Sequence, residues 1–286
     1  AFLQHWYVTG DEDFLREKAW PVLEGVCDWL SGRVTKTERG YEIKEVIGVA
    51  EQTQPVDNNA YVNMSAAVVL AGAAAVATRL KRPDGPHWAE IAAALFIPMD
   101  GDVIKNHDRF TASEGGATGA TPEALAGLFP MTYQVAPEVE LATMSFYLDR
   151  VDPYIGHPML SAPLAVYAAR LGDRARALRL FEQGYAEFIN PPYGEVNEFS
   201  RTRFPDKPVV GPLFANLGGF LISLILGLPG IRPDDGEPAR WPRRPVVLPE
   251  GWNGIEVERL MLRGRPARLA AHQGMDRARI ELPTGP

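Results

Sequence analysis

Val46–Asn63, VIGVAEQTQPVDNNAYVN, is the stretch on which the reading of this chain turns. It sets one carboxylate, Glu51, in an irregular loop just ahead of an alanine-rich apolar run from Ala60 to Leu80. Asp57 and Asn58 are good helix caps, because a short side-chain oxygen can accept from the orphan amides of a first turn. The run that follows is long enough for a buried helix, whose amide-rich N-terminus then faces the loop carrying Glu51. The plainer reading is an ordinary capped helix with a solvated glutamate upstream.

Outward from this stretch, helical hairpins dominate to about residue 228. Thr9-Gly10-Asp11 and Leu171-Gly172-Asp173 each close one apolar helix with glycine and open the next with a capping aspartate. Pro83-Asp84-Gly85-Pro86 makes a third junction of the same kind. The spacing predicts eight or nine helical segments, among them 12–31, 58–80, 87–96, 137–149, 159–171, 174–189 and 213–227. Short-linked antiparallel hairpins repeated in this way predict a mainly α chain, built as a bundle or a helical toroid. From Leu228 the texture changes. A Pro- and Gly-rich stretch, LPGIRPDDGEPARWP, leads into PVVLPEG, IEVERLMLRG, ARLAAHQG and ARIEL, which alternate as strands between turns. The expected division is a helical part over 1–228, a linker over 229–243 and a small β-domain over 244–286. That last part needs no catalytic reading, Trp252 and Arg263-Gly264-Arg265 included. The opening AFLQHWYVTGD reads as the last turns of a helix already under way, so a fragment is expected and no signal peptide is inferred or excluded.

At 286 residues the chain could fold as one large or two ordinary domains. Its 36 acidic residues against 29 basic ones leave a charge of −7, which argues against a nucleic-acid surface and suits a neutral ligand. A single cysteine, Cys27, allows no internal disulfide and is compatible with a cytoplasmic chain. With no His or Cys at ligand spacing around it, buried packing is expected. The apolar run Phe214 to Leu228 is interrupted by Asn216, Gly218, Gly219 and Ser223 and is too short for a membrane span. No cluster has metal spacing, and neither a phosphate-binding Gly-rich loop nor a supported Ser-His-Asp arrangement appears, so no cofactor is expected.

The opening stretch resembles the catalytic segment of glycoside hydrolase family 65, in which a Gly-Pro-Asp-Glu-like turn precedes a Val-Asp-Asn-Asn-Ala-Tyr-Thr-Asn-like helix start. Gly48, Glu51, Val56, Asp57, Asn58, Asn59, Ala60, Tyr61 and Asn63 stand at matching positions. Val49 and Ala50 replace the Pro-Asp pair, and Val62 replaces the Thr. The resemblance implies roughly the later two-thirds of an (α/α)6 barrel followed by the family's small C-terminal β-domain. It implies Glu51 as general acid, a small carbohydrate as substrate, and sugar-binding roles for Asp57, Asn58, Asn59 and Tyr61.

An inverting glycosidase needs a protonated carboxyl to donate to the departing oxygen and a second carboxylate to activate water on the opposite face. In NPPYGEVNEFSR (190–201), Glu198 resembles the family's general base in its spacing from Glu51 and in the Gly-Gly helix that follows at Gly218-Gly219. Glu195 stands three residues earlier and would take its place under a small alignment shift; Glu198 is favoured, and two solvated loop glutamates are the plain alternative. Phosphorylases of the family carry a Gly-Ile-His stretch near this helix, where this chain reads Gly211-Pro212-Leu213. The missing histidine implies water as the nucleophile. The family's sugar-contacting Lys-Gln-Ala-Asp segment is matched by Thr121-Pro122-Glu123-Ala124, so sugar recognition is expected to differ. The GGATGAT stretch (115–121) before it reads as a flexible surface loop that could shape the pocket. Trp6, beside His5, could face the sugar, although a core tryptophan is the commoner state. His107 lies in a loop without an assigned role, and His157 matches a position near the family's substrate cleft. The expectation is an inverting α-glucoside hydrolase acting on a glucosyl disaccharide or a glucosylated galactose unit, with a phosphorylase and a silent carbohydrate-binding fragment as rivals.

Overall fold

Residues 1–51, 54–111, 121–192 and 194–282 are described by the structure, a computed structural model. The helix Phe2–Thr9 ends at Gly10, which takes the left-handed conformation (φ 68) and sends its amide back to the Trp6 carbonyl. Asp11 then caps the next helix through the amide of Phe14 at 2.8 Å. That helix passes through a π turn at Leu15–Ala19 and continues as Trp20–Arg33. A short hairpin follows, Thr35–Thr37 paired with Gly40–Glu42.

The long helix Ala60–Arg79 is capped by Asn59, whose side-chain oxygen accepts from the amide of Val62 at 3.1 Å. The caps expected from the sequence were Asp57 and Asn58, and both are used elsewhere. Asp57 accepts from the amide of Glu45. Asn58 is buried at φ 53 and reaches across to Ile43, Glu42 and Asp108. By length and hydropathy (1.7) this is the one described helix that could cross a membrane, yet 56% of that window is buried inside the fold. Its alanines let the helix Gly85–Ala93 approach closely: a Cβ at Gly85 would stand 3.2 Å from that of Ala77.

The helices Pro137–Leu148, Leu164–Arg170 and Arg174–Gly184 follow the predicted spacing. Leu164–Arg170 starts later than expected, because Pro158 and Pro163 hold the preceding residues in turns. A short, wholly buried helix, Glu123–Leu128, packs against Ala60–Arg79 and Pro137–Leu148, and Gly127 there leaves no room for a Cβ against Met64. The last helix, Phe214–Ile222, runs on into a π turn at Ser223–Gly227.

Three strands close the chain. Gly254–Leu262 pairs antiparallel with Arg265–His272, with an irregularity between Val257 and Leu260, and Arg279–Glu281 adds to the far edge. PVVLPEG, expected as a strand, is irregular, since its two prolines withhold ladder donors. The molecule is thus mainly helical with small antiparallel sheets. Two apolar cores underlie it. One gathers Trp6, Trp20, Cys27, Leu70 and Trp88 from the first helices. The other joins Met64, Met144 and Tyr167 to Leu262, Leu269 and Ile280 of the sheet, so helices and sheet share one interior. Cys27 is fully buried, and that burial pushes its thiol up to about 12, as suits packing rather than reactivity.

Candidate active site

The loop carrying Glu51 begins and ends on a pair of backbone hydrogen bonds, Val46 to Val56 at 2.9 Å and the reverse at 2.8 Å. Inside this closed turn the chain bends through positive φ at Gly48 (72) and again at Glu51 (50). Only glycine fits at Gly48, because an added Cβ would lie 2.5 Å from Oε1 of Glu123. Glu123 sits beneath the loop, fully buried. Its Oε1 accepts from the amide of Ala50 at 2.7 Å and its Oε2 from Nδ2 of Asn59 at 2.8 Å. Burial raises its carboxyl above the ordinary range, while the amides of Ala50 and Val49 and the Asn59 side chain act in the opposite sense.

Glu198 reaches the same place from the other half of the chain. The hairpin Ile189–Asn190/Glu195–Val196 feeds into its loop, and its amide donates to the Val210 carbonyl at 2.8 Å. Asn216, buried in the first turn of Phe214–Ile222, ties the surroundings together. Its Oδ1 accepts from Met159 at 2.5 Å, and its Nδ2 donates to the carbonyls of Asn197 at 2.8 Å and Glu198 at 3.3 Å.

Glu51 and Glu198 line one cleft of about 480 Å³, together with Val49, Ala50, Thr121, Leu213 and Ala215. That volume lies within the ~300–1,000 Å³ usual for small-molecule sites. One wall is aromatic. Tyr154 stacks on His157 with ring centres 5.5 Å apart, and Phe199 meets the same imidazole edge-on. Burial first, and then the charges of Glu123 and Glu51, hold the Tyr154 phenol above its ordinary pKa, so it stays neutral and donates to the Pro158 carbonyl. Burial and the nearby Lys207 lower that of His157, leaving at neutral pH an uncharged ring able to donate and to accept. A larger hollow of about 790 Å³ elsewhere is lined mostly by small apolar residues such as Ala67, Gly72 and Ala75, so volume does not single out the site. Convergent polar groups do.

The other sequence candidates lie around the cleft or away from it. Asn59 is buried and joins the Glu51 loop through Glu123. Asp57 and Asn58 shape the turn before the helix, and Tyr61 is half-buried in its first turn. None of these four is among the residues lining the cleft. Trp6 is likewise absent from it: the indole is buried in the first core and donates to Glu12 at 3.2 Å under the Arg79 guanidinium. Glu195 is exposed, pairs with Asn190 in the hairpin and is also absent from the lining. Of the GGATGAT stretch all but Thr121 lies outside the described residues.

Sequence reading passed over Glu123, Asn216 and Tyr154. Glu123 stood in it only as part of a segment departing from a motif, because its partners are 64 and 73 residues away. Asn216 was noted only as an interruption of an apolar run. A polar residue inside such a run was the available signal, since buried amides are kept where they are hydrogen-bonded.

Residues 1–119 match the family model described as the glycosyl hydrolase family 65 central catalytic domain. Over 260 residues, 90% of this chain, it is 29% identical to a kojibiose hydrolase of Flavobacterium johnsoniae, of which it covers 36%. A protein-glucosylgalactosylhydroxylysine glucosidase of Danio rerio is 27% identical over 86% of the chain and 37% of its own length. The chain thus spans about a third of the length of these curated relatives. A solved structure assigned as a kojibiose phosphorylase from the human microbiome superposes with a TM-score of 0.64 over 97% of this chain and 45% of its own. At 11% identity that likeness is one of fold. The resemblance to family 65 read from Gly48 to Asn63 is borne out by these matches.

Proposed function

We propose that this chain holds the catalytic centre of an inverting α-glucoside hydrolase, with Glu51 as general acid and Glu198 as general base. The observation that carries the reading is that these two carboxylates, from opposite halves of the sequence, line one cleft. The acid donates its proton to the glycosidic oxygen as the bond from C1 breaks. The base takes a proton from a water whose oxygen bonds to C1 from the opposite face, and the sugar is released with inverted configuration. Tyr154, His157 and Phe199 offer an aromatic wall with polar edges against which a sugar ring can lie. Leu213 lines the cleft where a phosphorylase of the family would carry histidine, which favours water over phosphate. Glu195, exposed and outside the lining, is the weaker candidate for the base. The helical hairpins are read as part of an (α/α)6 barrel over 1–228, with a linker over 229–243 and a β-domain over 244–286. The substrate class is a short glucosyl disaccharide, such as the kojibiose named for the bacterial relatives, or a glucosyl-galactosyl unit of the kind named for the animal ones.

The test is turnover of kojibiose and of a glucosylgalactoside with and without inorganic phosphate, followed by proton NMR. Glucose released at equal rates in both, first as the β-anomer, supports the proposal. Glucose 1-phosphate formed only with phosphate makes the protein a phosphorylase. Saturable sugar binding without turnover makes it a binding fragment.

A further inference from the structure

Glu123 lies behind Glu51 rather than in the cleft. A fully buried carboxylate is costly to hold, so its partners show what keeps it there. All are donors: on one side the amide of Ala50, one residue from Glu51, with that of Val49 beside it, and on the other Nδ2 of Asn59, whose own oxygen caps the Ala60–Arg79 helix. A group facing donors on both sides must accept at both of its atoms. A carboxylate does so, whereas a glutamine has one oxygen and would turn its NH2 toward a donor. The loop has little other freedom. Gly48 is pressed against this carboxylate without room for a Cβ, and Glu51 is held at φ 50, a conformation that a residue with a side chain keeps only when its surroundings enforce it.

Resting on the reading of Glu51 as the acid, we propose that Glu123 is its positioning residue: the buried carboxylate clamps loop 48–51 onto the capped start of the Ala60–Arg79 helix and so fixes where the catalytic proton is delivered. Glu123 touches no substrate. It acts through the peptide of Ala50, and the rigid element behind it is the helix whose cap, Asn59, shares the clamp. A displacement of about 1 Å in a catalytic group is enough to cost on the order of a hundredfold in rate.

The experiment uses the whole chain and three variants. Glu123→Gln should lower kcat about 10- to 100-fold on a substrate with a poor leaving group, leave KM within about threefold, and lower turnover of an activated aryl glucoside far less, because that leaving group needs little protonation. Glu51→Gln should mask it, so that the double variant Glu51→Gln/Glu123→Gln is no slower than Glu51→Gln. The swap Glu123→Gln/Asn59→Asp restores these hydrogen bonds with only the one between 123 and 59 reversed in polarity: the glutamine oxygen accepts from Ala50, its NH2 donates to the aspartate, and the other aspartate oxygen caps Val62. It should recover most of the lost kcat. Amide exchange of Ala50, read by mass spectrometry, should quicken at least tenfold in Glu123→Gln and return toward the parent rate in the swap. This reading needs no turnover, so an inactive parent would sink the assignment of Glu51 while leaving the clamp to be judged by exchange. Unchanged exchange in a folded Glu123→Gln, or a loss of kcat equal for both leaving groups and not recovered by the swap, overturns the proposal. If Glu123→Gln does not fold, the swap decides alone: its ratio of rates on the two leaving groups should match the parent, and a ratio shifted tenfold against the poor leaving group refutes the clamp.

Discussion

The loop carrying Glu51 is held from beneath by a carboxylate, Glu123, whereas the loop carrying Glu198 is held by an amide, Asn216. Glu123 only accepts, and what it grips is a backbone amide next to the residue that matters. Asn216 both accepts and donates, and it grips the carbonyl of Glu198 itself while accepting from the amide of Met159. One anchor is charged and couples a loop to a helix cap. The other is neutral and ties two loops to a helix start. A buried anchor is therefore matched to the backbone groups it must satisfy, and the difference predicts how each side fails.

The largest effect is expected at the acid. Glu51→Gln should slow hydrolysis of an unactivated disaccharide by about 10² to 10⁴ while leaving sugar binding nearly intact, and a loss below tenfold would remove Glu51 from the assignment. An activated aryl glucoside should be hydrolysed far closer to the parent rate. Glu198→Gln should break that pattern, because activating water is needed whatever leaves: steady-state rates on both substrates should fall together, by on the order of 10² or more. Asn216→Asp comes next. It sets a second buried oxygen against the Asn197 and Glu198 carbonyls and should cost about 1–3 kcal/mol in urea unfolding, where unaltered stability would mean that the tie is idle. Glu195→Gln should change turnover less than twofold, and a larger loss would move the base to Glu195.

The smallest expected effect is one of pH, and it belongs to the Glu51 side. The Arg39 guanidinium, helped by Thr37 and Asn58, holds the Glu42 carboxyl down at about 2. Unfolded, that group titrates near 4.5, so the folded state binds its proton less readily. The stabilisation is present above about 4.5 and is lost as pH falls toward about 2. Because Arg39 is half-exposed, solvent screens much of it. Arg39→Met should flatten this acid slope in chemical denaturation, and an unchanged slope would assign it to other carboxylates.

Helix junctions were legible where one residue type did one local task. Asp11 and Asp173 cap as read, each within three residues of the amide that donates to it. Asp57, Asn58 and Asn59 were not separable in this way, since three adjacent good caps differ only in tertiary partners, and the burial of Asn58 against Glu42 and Asp108 left Asn59 to cap. The strands Gly254–Leu262 and Arg265–His272 showed in their alternation, while PVVLPEG had the apolar residues but not the donors. At the site, the loops of Glu51 and Glu198 could be read from local composition. Their anchors could not, because contact with residues far along the chain defines them.

One contact at the far side has its own consequence. At the turn between the two long strands, Arg263 sends its amide to the carbonyl of Val8 at 2.7 Å and its Nε to that of Tyr7 at 3.0 Å, a tie spanning 256 residues. The turn thus finishes the end of the first helix. On a ribosome these carbonyls wait for their partner while the 256 residues up to Arg263 are made. Closing so long a loop is entropically expensive, and such non-local closure slows folding. The tie is therefore expected to form only once Arg263 has emerged, and a chain stalled before Arg263 would display an unfinished helix end to the chaperones that sort nascent proteins.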